Sequence, residues 1–209
     1  MVWILMVLYA VLTAAVIRSK SWVMFPWFTS WCIAVTLNTA IWDGSLTSRD
    51  YFAVGILLFL RTMATVEVFG HASEFMADSE RRALLLMAGL VALPAAAAIW
   101  LLPHDANWIY RLSRHTVEVF LAVFSIASWL YIWHNHEHLD IDWKLAAHGT
   151  LLTLYGVSLA GADFLMPRVF SWFEMSWDQA RLNTVPITCA VVLAWLVVFA
   201  RQQAKTTQR

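Results

Sequence analysis

Apolar residues run along this chain in seven long stretches separated by short polar connections. They cover Val2–Ile17, Trp22–Trp42, Tyr51–Gly70, Ala83–Leu102, His115–Trp133, Leu145–Leu165 and Val185–Ala200. A membrane-spanning helix needs about 20 mostly apolar residues at ~1.5 Å rise each. Each stretch reaches or approaches that length. The pattern predicts an all-α fold: a polytopic integral membrane protein whose single domain, residues 1–209, is a bundle of seven transmembrane helices.

The ends of the stretches predict topology. No basic residue precedes the first stretch and no small-residue cleavage motif follows it, so it reads as a retained helix rather than a signal peptide. Arg18 and Lys20 come directly after it, which places the amino terminus outside. Seven crossings then leave the carboxyl terminus in the cytoplasm. On this topology eight basic residues lie inside (Arg18, Lys20, Arg81, Arg82, Lys144, Arg201, Lys205, Arg209) and five outside (Arg49, Arg111, Arg114, Arg168, Arg181). The excess agrees with the positive-inside rule and with a multi-pass protein of the cell membrane.

Tryptophan marks the same boundaries. Ten of the thirteen tryptophans, Trp22, Trp27, Trp42, Trp100, Trp108, Trp129, Trp133, Trp143, Trp172 and Trp177, fall near helix ends or in connections. Amphipathic indoles settle at headgroup depth, so these read as interfacial anchors. The longest connection, 166–183, mixes aromatics with Arg168, Glu174, Asp178 and Arg181 and reads as a segment lying in the outer interface. Pro26 suits the first turn of the second helix. Pro94 falls inside the fourth helix, where it frees a carbonyl. Gly149, Thr153, Gly156, Ala160 and Gly161 form a small-residue stripe on the sixth helix. Such a stripe predicts close packing, with that helix central in the bundle or self-associating.

Composition narrows the class. The chain is 61% hydrophobic and 13% charged, with zero formal net charge. An ordinary globular domain is nearer 45–50% apolar. The charge balance gives no basic surface for nucleic acid. Cys32 and Cys189 both fall inside apolar stretches and read as small buried residues rather than a disulfide or thiol site. The expected partners are therefore the lipid bilayer and another membrane protein or a second copy of the chain.

Candidate chemistry sits in the polar exceptions. An ionisable group at the centre of a spanning helix costs on the order of 2.5–3.5 kcal/mol even on lenient scales, so it should face the bundle and find partners. Arg61 lies near the midpoint of the third helix, and Glu118 on the fifth lies about 9 Å towards the outside, within reach of a guanidinium. Glu67 and His148 both fall about 10 Å towards the inside, and His115 and Asp163 roughly 12–13 Å towards the outside. His71 stands one turn beyond Glu67 on the same helix face. These residues predict a ladder of acid–base pairs on the third, fifth and sixth helices. Its two meanings are a proton or ion path and polar glue that fixes helix register. The pentapeptide TVEVF occurs at Thr65–Phe69 and again at Thr116–Phe120, without wider similarity.

A second constellation is the inner connection His134–Asp142. His134, His136 and His138 with Glu137 could offer nitrogen and oxygen ligands to a divalent metal ion, the one cofactor the sequence suggests. The alternative is a solvated polar cap on the fifth helix. The spacing is not HExxH, and there is no GxSxG, Walker or CxxC motif. The seventh stretch holds no lysine for a retinal Schiff base. No catalytic residue is implied. Two functions lead: a sensory or scaffolding membrane module that binds a small ligand or partner, and a proton- or metal-coupled transporter or channel; a membrane enzyme with its site on the inner histidine cluster comes third.

Overall fold

A computed structural model of the chain describes residues 2–41, 48–98, 108–134, 142–161 and 186–199. Among these residues the regular structure is entirely helical. Seven α-helices follow one another: α1 (Val2–Arg18), α2 (Pro26–Ile41), α3 (Ser48–Ser73), α4 (Asp78–Ala98), α5 (Trp108–His134), α6 (Trp143–Ala160) and α7 (Pro186–Phe199). One helix lies within or over each apolar stretch, as the pattern predicts. Within α3 and α5, Ala53–Ser73 and His115–His134 are long and apolar enough to cross a membrane. Helices α1 and α7 are apolar but shorter. The interfacial segment expected at 166–183 lies outside the described residues.

Helix ends differ from the apolar boundaries for local reasons. Lys20 adopts a left-handed conformation (φ 56°) and Ser21–Val23 form a 3-10 turn, so α2 begins at Pro26 rather than Trp22. Proline suits that position because the first helical N–H has no intrahelical acceptor. Helix α5 starts at Trp108, seven residues before its apolar stretch, and carries the polar residues Arg111, Ser113 and Arg114 in its opening turns. Helix α4 continues through Pro94, which removes the donor for the Leu90 carbonyl.

The chain divides into two compact units, residues 1–68 with 188–209, and residues 69–187. Helix α3 passes from the first to the second after Val68. In the first unit α1 packs on α2. The Thr13 and Thr36 hydroxyls meet at 3.1 Å between these helices. The core is aromatic. Phe28 lies 5.6 Å from Trp31, 5.2 Å from Trp195 and 6.1 Å from Phe199, measured between ring centres. Trp31 in turn meets Tyr9 edge-on at 6.2 Å and Trp195 at 6.0 Å. All five side chains are buried. Trp31 and Trp195 are thus core residues, whereas Trp22, Trp27, Trp133 and Trp143 are exposed near helix ends.

In the second unit α4 packs on α5, and α5 on α6. Leu84, Ala88, Ala92 and Ala96 form the buried face of α4 at four-residue spacing. The turn between α3 and α4 is fastened at both ends. Arg81 donates from Nη2 to the Ser73 carbonyl at 3.0 Å, and the Ala77 N–H donates to Glu80 Oε2 at 3.0 Å. The first bond satisfies a carbonyl at the end of α3; the second is half of a capping box. The small residues Gly149, Thr153, Gly156 and Ala160 of α6 are all buried. A Cβ built on Gly156, however, would meet nothing within 4 Å. Close approach of a neighbour does not require glycine there.

Two stability measurements follow. Phe28→Ala removes the ring that three other aromatics touch, and should destabilise by about 3–5 kcal/mol. Gly156→Ala should leave stability the same or raise it by up to about 1 kcal/mol, since alanine is the better helix former. Thermal unfolding of the purified chain checks both; a strongly destabilised Gly156→Ala would mean that a neighbour does crowd that position.

Candidate functional site

The polar groups inside the helices sort by how they are satisfied. Most hydroxyls bond back along their own helix. Thr29, Thr36, Thr62, Thr65, Thr150 and Thr153 each donate to the carbonyl four residues earlier at 2.8–2.9 Å. Such bonds cost no partner from elsewhere. The ionisable groups have no such option.

In the first unit, the buried face of α3 is Arg61, Ala64, Thr65 and Val68, at the i, i+3, i+4, i+7 spacing of one helix side. Arg61 is only 5% exposed although it is an arginine at the centre of a 26-residue helix. Its Nη2 has no hydrogen-bond partner among the described residues. Glu67 lies beside this face and reaches α2. Its Oε1 accepts from the Trp27 N–H and its Oε2 from the Phe28 N–H, both at 3.0 Å. These are the first two N–H groups after Pro26, which has none to offer. A carboxylate at a helix N-terminus also meets the positive end of the helix dipole. Glu67 is therefore a bidentate cap supplied by one helix to another.

In the second unit, His71 ends α3 with Nδ1 3.4 Å from Glu74 Oε1. On α5, His115 Nδ1 lies 3.9 Å from Glu118 Oε2, one turn further on. That is an ion-pair distance and too long for a hydrogen bond. Glu118 is 3% exposed and shares the buried face of α5 with Leu121, Ala122, Ser125, Ser128 and Ile132. His148 is buried on α6, which packs against α5. The sequence reading overlooked Ser125 and Ser128. Their signal was present: positions seven and ten beyond Glu118 return to its side of a helix.

The structure thus places Arg61, Glu118 and His148 in the interior and sets Glu67, His71 and His115 at partly exposed positions. The expected pairs Arg61–Glu118 and Glu67–His148 divide between the two units. Asp163 lies outside the described residues, and so do His136, Glu137 and His138 of the proposed metal connection. His134 closes α5 and is exposed. Asp142, at the far end of that connection, caps α6 by accepting from the Lys144 N–H at 3.2 Å. Among the described residues no three histidine, cysteine or acidic side chains gather as a metal site would require. Cys32 and Cys189 are free thiols.

Chemically the two units offer different things. The His115–Glu118 pair and the serines beyond it are groups that can take, hold and pass a proton. The guanidinium of Arg61 can only donate hydrogen bonds.

Glu67→Ala should cost about 1–3 kcal/mol, because two backbone donors lose a charged acceptor. Glu67→Gln should retain part of that, since one amide oxygen still accepts. Thermal unfolding of the two variants against the parent chain checks the order; equal stability of all three would show that water satisfies the α2 terminus as well as Glu67 does.

Compared with known proteins, the chain matches no family model, no curated relative and no solved structure.

Proposed function

We propose that the chain is a multi-pass protein of the cell membrane, its seven helices forming one transmembrane bundle with the amino terminus outside and the carboxyl terminus in the cytoplasm. Within that bundle it acts as a sensory or scaffolding module, binding a small ligand or a partner membrane protein. The observation that carries the membrane reading is inverted polarity. Large apolar side chains are exposed on every helix: Ile4, Val7 and Val11 on α1, Leu37 on α2, Phe59 on α3, Leu130 on α5, Leu154 on α6 and Leu193 on α7. Helix α4 goes furthest, with Leu86, Leu90 and Leu93 each more than 60% exposed. Arg61 and Glu118 meanwhile are buried. Water would favour the reverse arrangement; hydrocarbon favours this one. The helical backbone, satisfied within each helix, suits a solvent that offers no hydrogen bonds. The module reading draws support from a polar interior in which the described residues form no recognisable catalytic constellation, and it rests on fold-level reasoning.

A second reading is a proton-coupled transporter or channel. The line of Glu118, Ser125 and Ser128 along the buried face of α5, with His115 one turn before it, favours it. From Glu118 to Ser128 this line spans about 15 Å of helix.

Alkaline carbonate should leave the expressed chain in the membrane pellet, and a reporter fused to its carboxyl terminus should be active only on the cytoplasmic side. Release into the supernatant would overturn the membrane reading. In liposomes carrying an internal pH dye, the module reading expects no proton flux. Flux that Glu118→Gln abolishes would establish the transporter instead.

A further inference from the structure

Arg61 is buried in the first unit, and among the described residues its Nη2 has no hydrogen-bond partner. The only other described ionisable side chain on that stretch of α3 is Glu67, and both of its oxygens are taken by the N-terminus of α2. Thr65, one turn from Arg61 on the buried face, directs its hydroxyl to the Arg61 carbonyl rather than receiving from the side chain. Ala64 and Val68, the remaining neighbours on that face, offer no acceptor. A buried cation of this kind needs an acceptor that carries negative charge.

We infer that Arg61 is the anchor of a ligand site in the first unit and that its ligand is a monocarboxylate. This rests on the ligand-binding reading above and names the chemistry of its ligand. The planar fork of arginine matches a carboxylate through two parallel N–H···O bonds. One carboxylate balances one guanidinium. A phosphate dianion would leave a surplus charge, because Arg18 and Lys20, the other basic side chains described in this unit, are exposed at the end of α1 and just beyond it. The surroundings on α3 are small and apolar, which suits a carboxylate with a short hydrocarbon body. Two sources share this chemistry: a water-soluble short-chain acid and the acid end of a membrane-derived fatty acid.

The test uses the full chain in nanodiscs and isothermal titration with propionate, decanoate, decanol and inorganic phosphate. Saturable binding of propionate points to a soluble acid, and binding of decanoate alone to a membrane-derived one; either supports the inference, provided that Arg61→Gln weakens it at least tenfold and Arg61→Lys weakens it less. Decanol and phosphate should not bind saturably. Circular dichroism and size exclusion establish that each variant is folded. Should Arg61→Gln fail to fold, Arg61→Lys is the deciding variant, since a bidentate site must lose affinity on that change. Equal affinity in the parent chain and the variants overturns the inference, as does the absence of carboxylate binding in the folded parent chain. So does a Glu118→Gln chain whose lost stability is restored by adding Arg61→Gln, for Glu118 would then be the counter-ion. Those outcomes leave membrane insertion intact, whereas release by carbonate would remove the membrane reading itself.

Discussion

Every backbone N–H in an apolar setting must find an acceptor, and at the start of α2 that requirement shapes the first unit. A helix leaves its first N–H groups without partners of its own. Pro26 removes one donor, and the Glu67 carboxylate accepts the next two from across the unit. The bond pair ties α2 to α3 at a single height, with Trp27 meeting Phe59 edge-on at 6.1 Å beside it. Phe28, whose N–H is held, then turns its ring into the cluster with Trp31, Trp195 and Phe199. The cap and the aromatic core thus share a residue, so moving one displaces the other. On the membrane reading proposed above, apolar burial gives little preference between neighbours, and such polar fastening and close ring packing select one arrangement.

The repeated TVEVF pentapeptide shows how little a local sequence fixes on its own. In α3 it turns Thr65 and Val68 inward and Val66 outward, and Glu67 becomes a cap at a partly exposed position. In α5 the same five residues turn Glu118 inward beside His115, while Val117 and Val119 are half-buried. The helical phase of each copy is set by its neighbours, by Arg61 and Ala64 in one case and by Leu121, Ala122 and Ser125 in the other. One glutamate is structural and the other sits on an interior lane. The ladder expected from depth gives each glutamate a side-chain partner, Arg61 for Glu118 and His148 for Glu67, and no backbone partner to either.

Much of the fold was legible because periodicity is a property of the whole helix. The seven apolar stretches locate seven helices, and Pro26 marks the true start of α2 where apolarity alone places it at Trp22. The site was legible in part. Burial of Arg61, Glu118 and His148 follows from their position in apolar helices, and the reading found all three. The role of Glu67 was not found, although Pro26 followed by two free N–H groups calls for an acceptor. Depth matching pairs side chains with side chains and overlooks the backbone as a partner. Ser125 and Ser128 were missed for another reason: serine is cheap enough in a helix that it raises no alarm, even when the face it shares with Glu118 is buried.

Satisfaction of polar groups also separates the two meanings of a buried charge. A residue that serves as glue is bonded to the fold: Glu67 on α2, Arg81 through Nη2 on the end of α3, Asp142 on the start of α6. Each has an acceptor or donor in place at a helix terminus, its own or another's, where the backbone has groups to spare. Arg61 is at the opposite extreme, at mid-helix, where all backbone groups nearby are already paired. Nothing that a helix interior offers can answer a guanidinium, so its counter-charge has to come from a side chain of another element or from a ligand. A charge held for stability alone would be replaceable by a residue of similar volume at little cost or even at a gain. The central position of Arg61, far from either terminus and among small neighbours, therefore favours a role in recognition over one in holding the helices together.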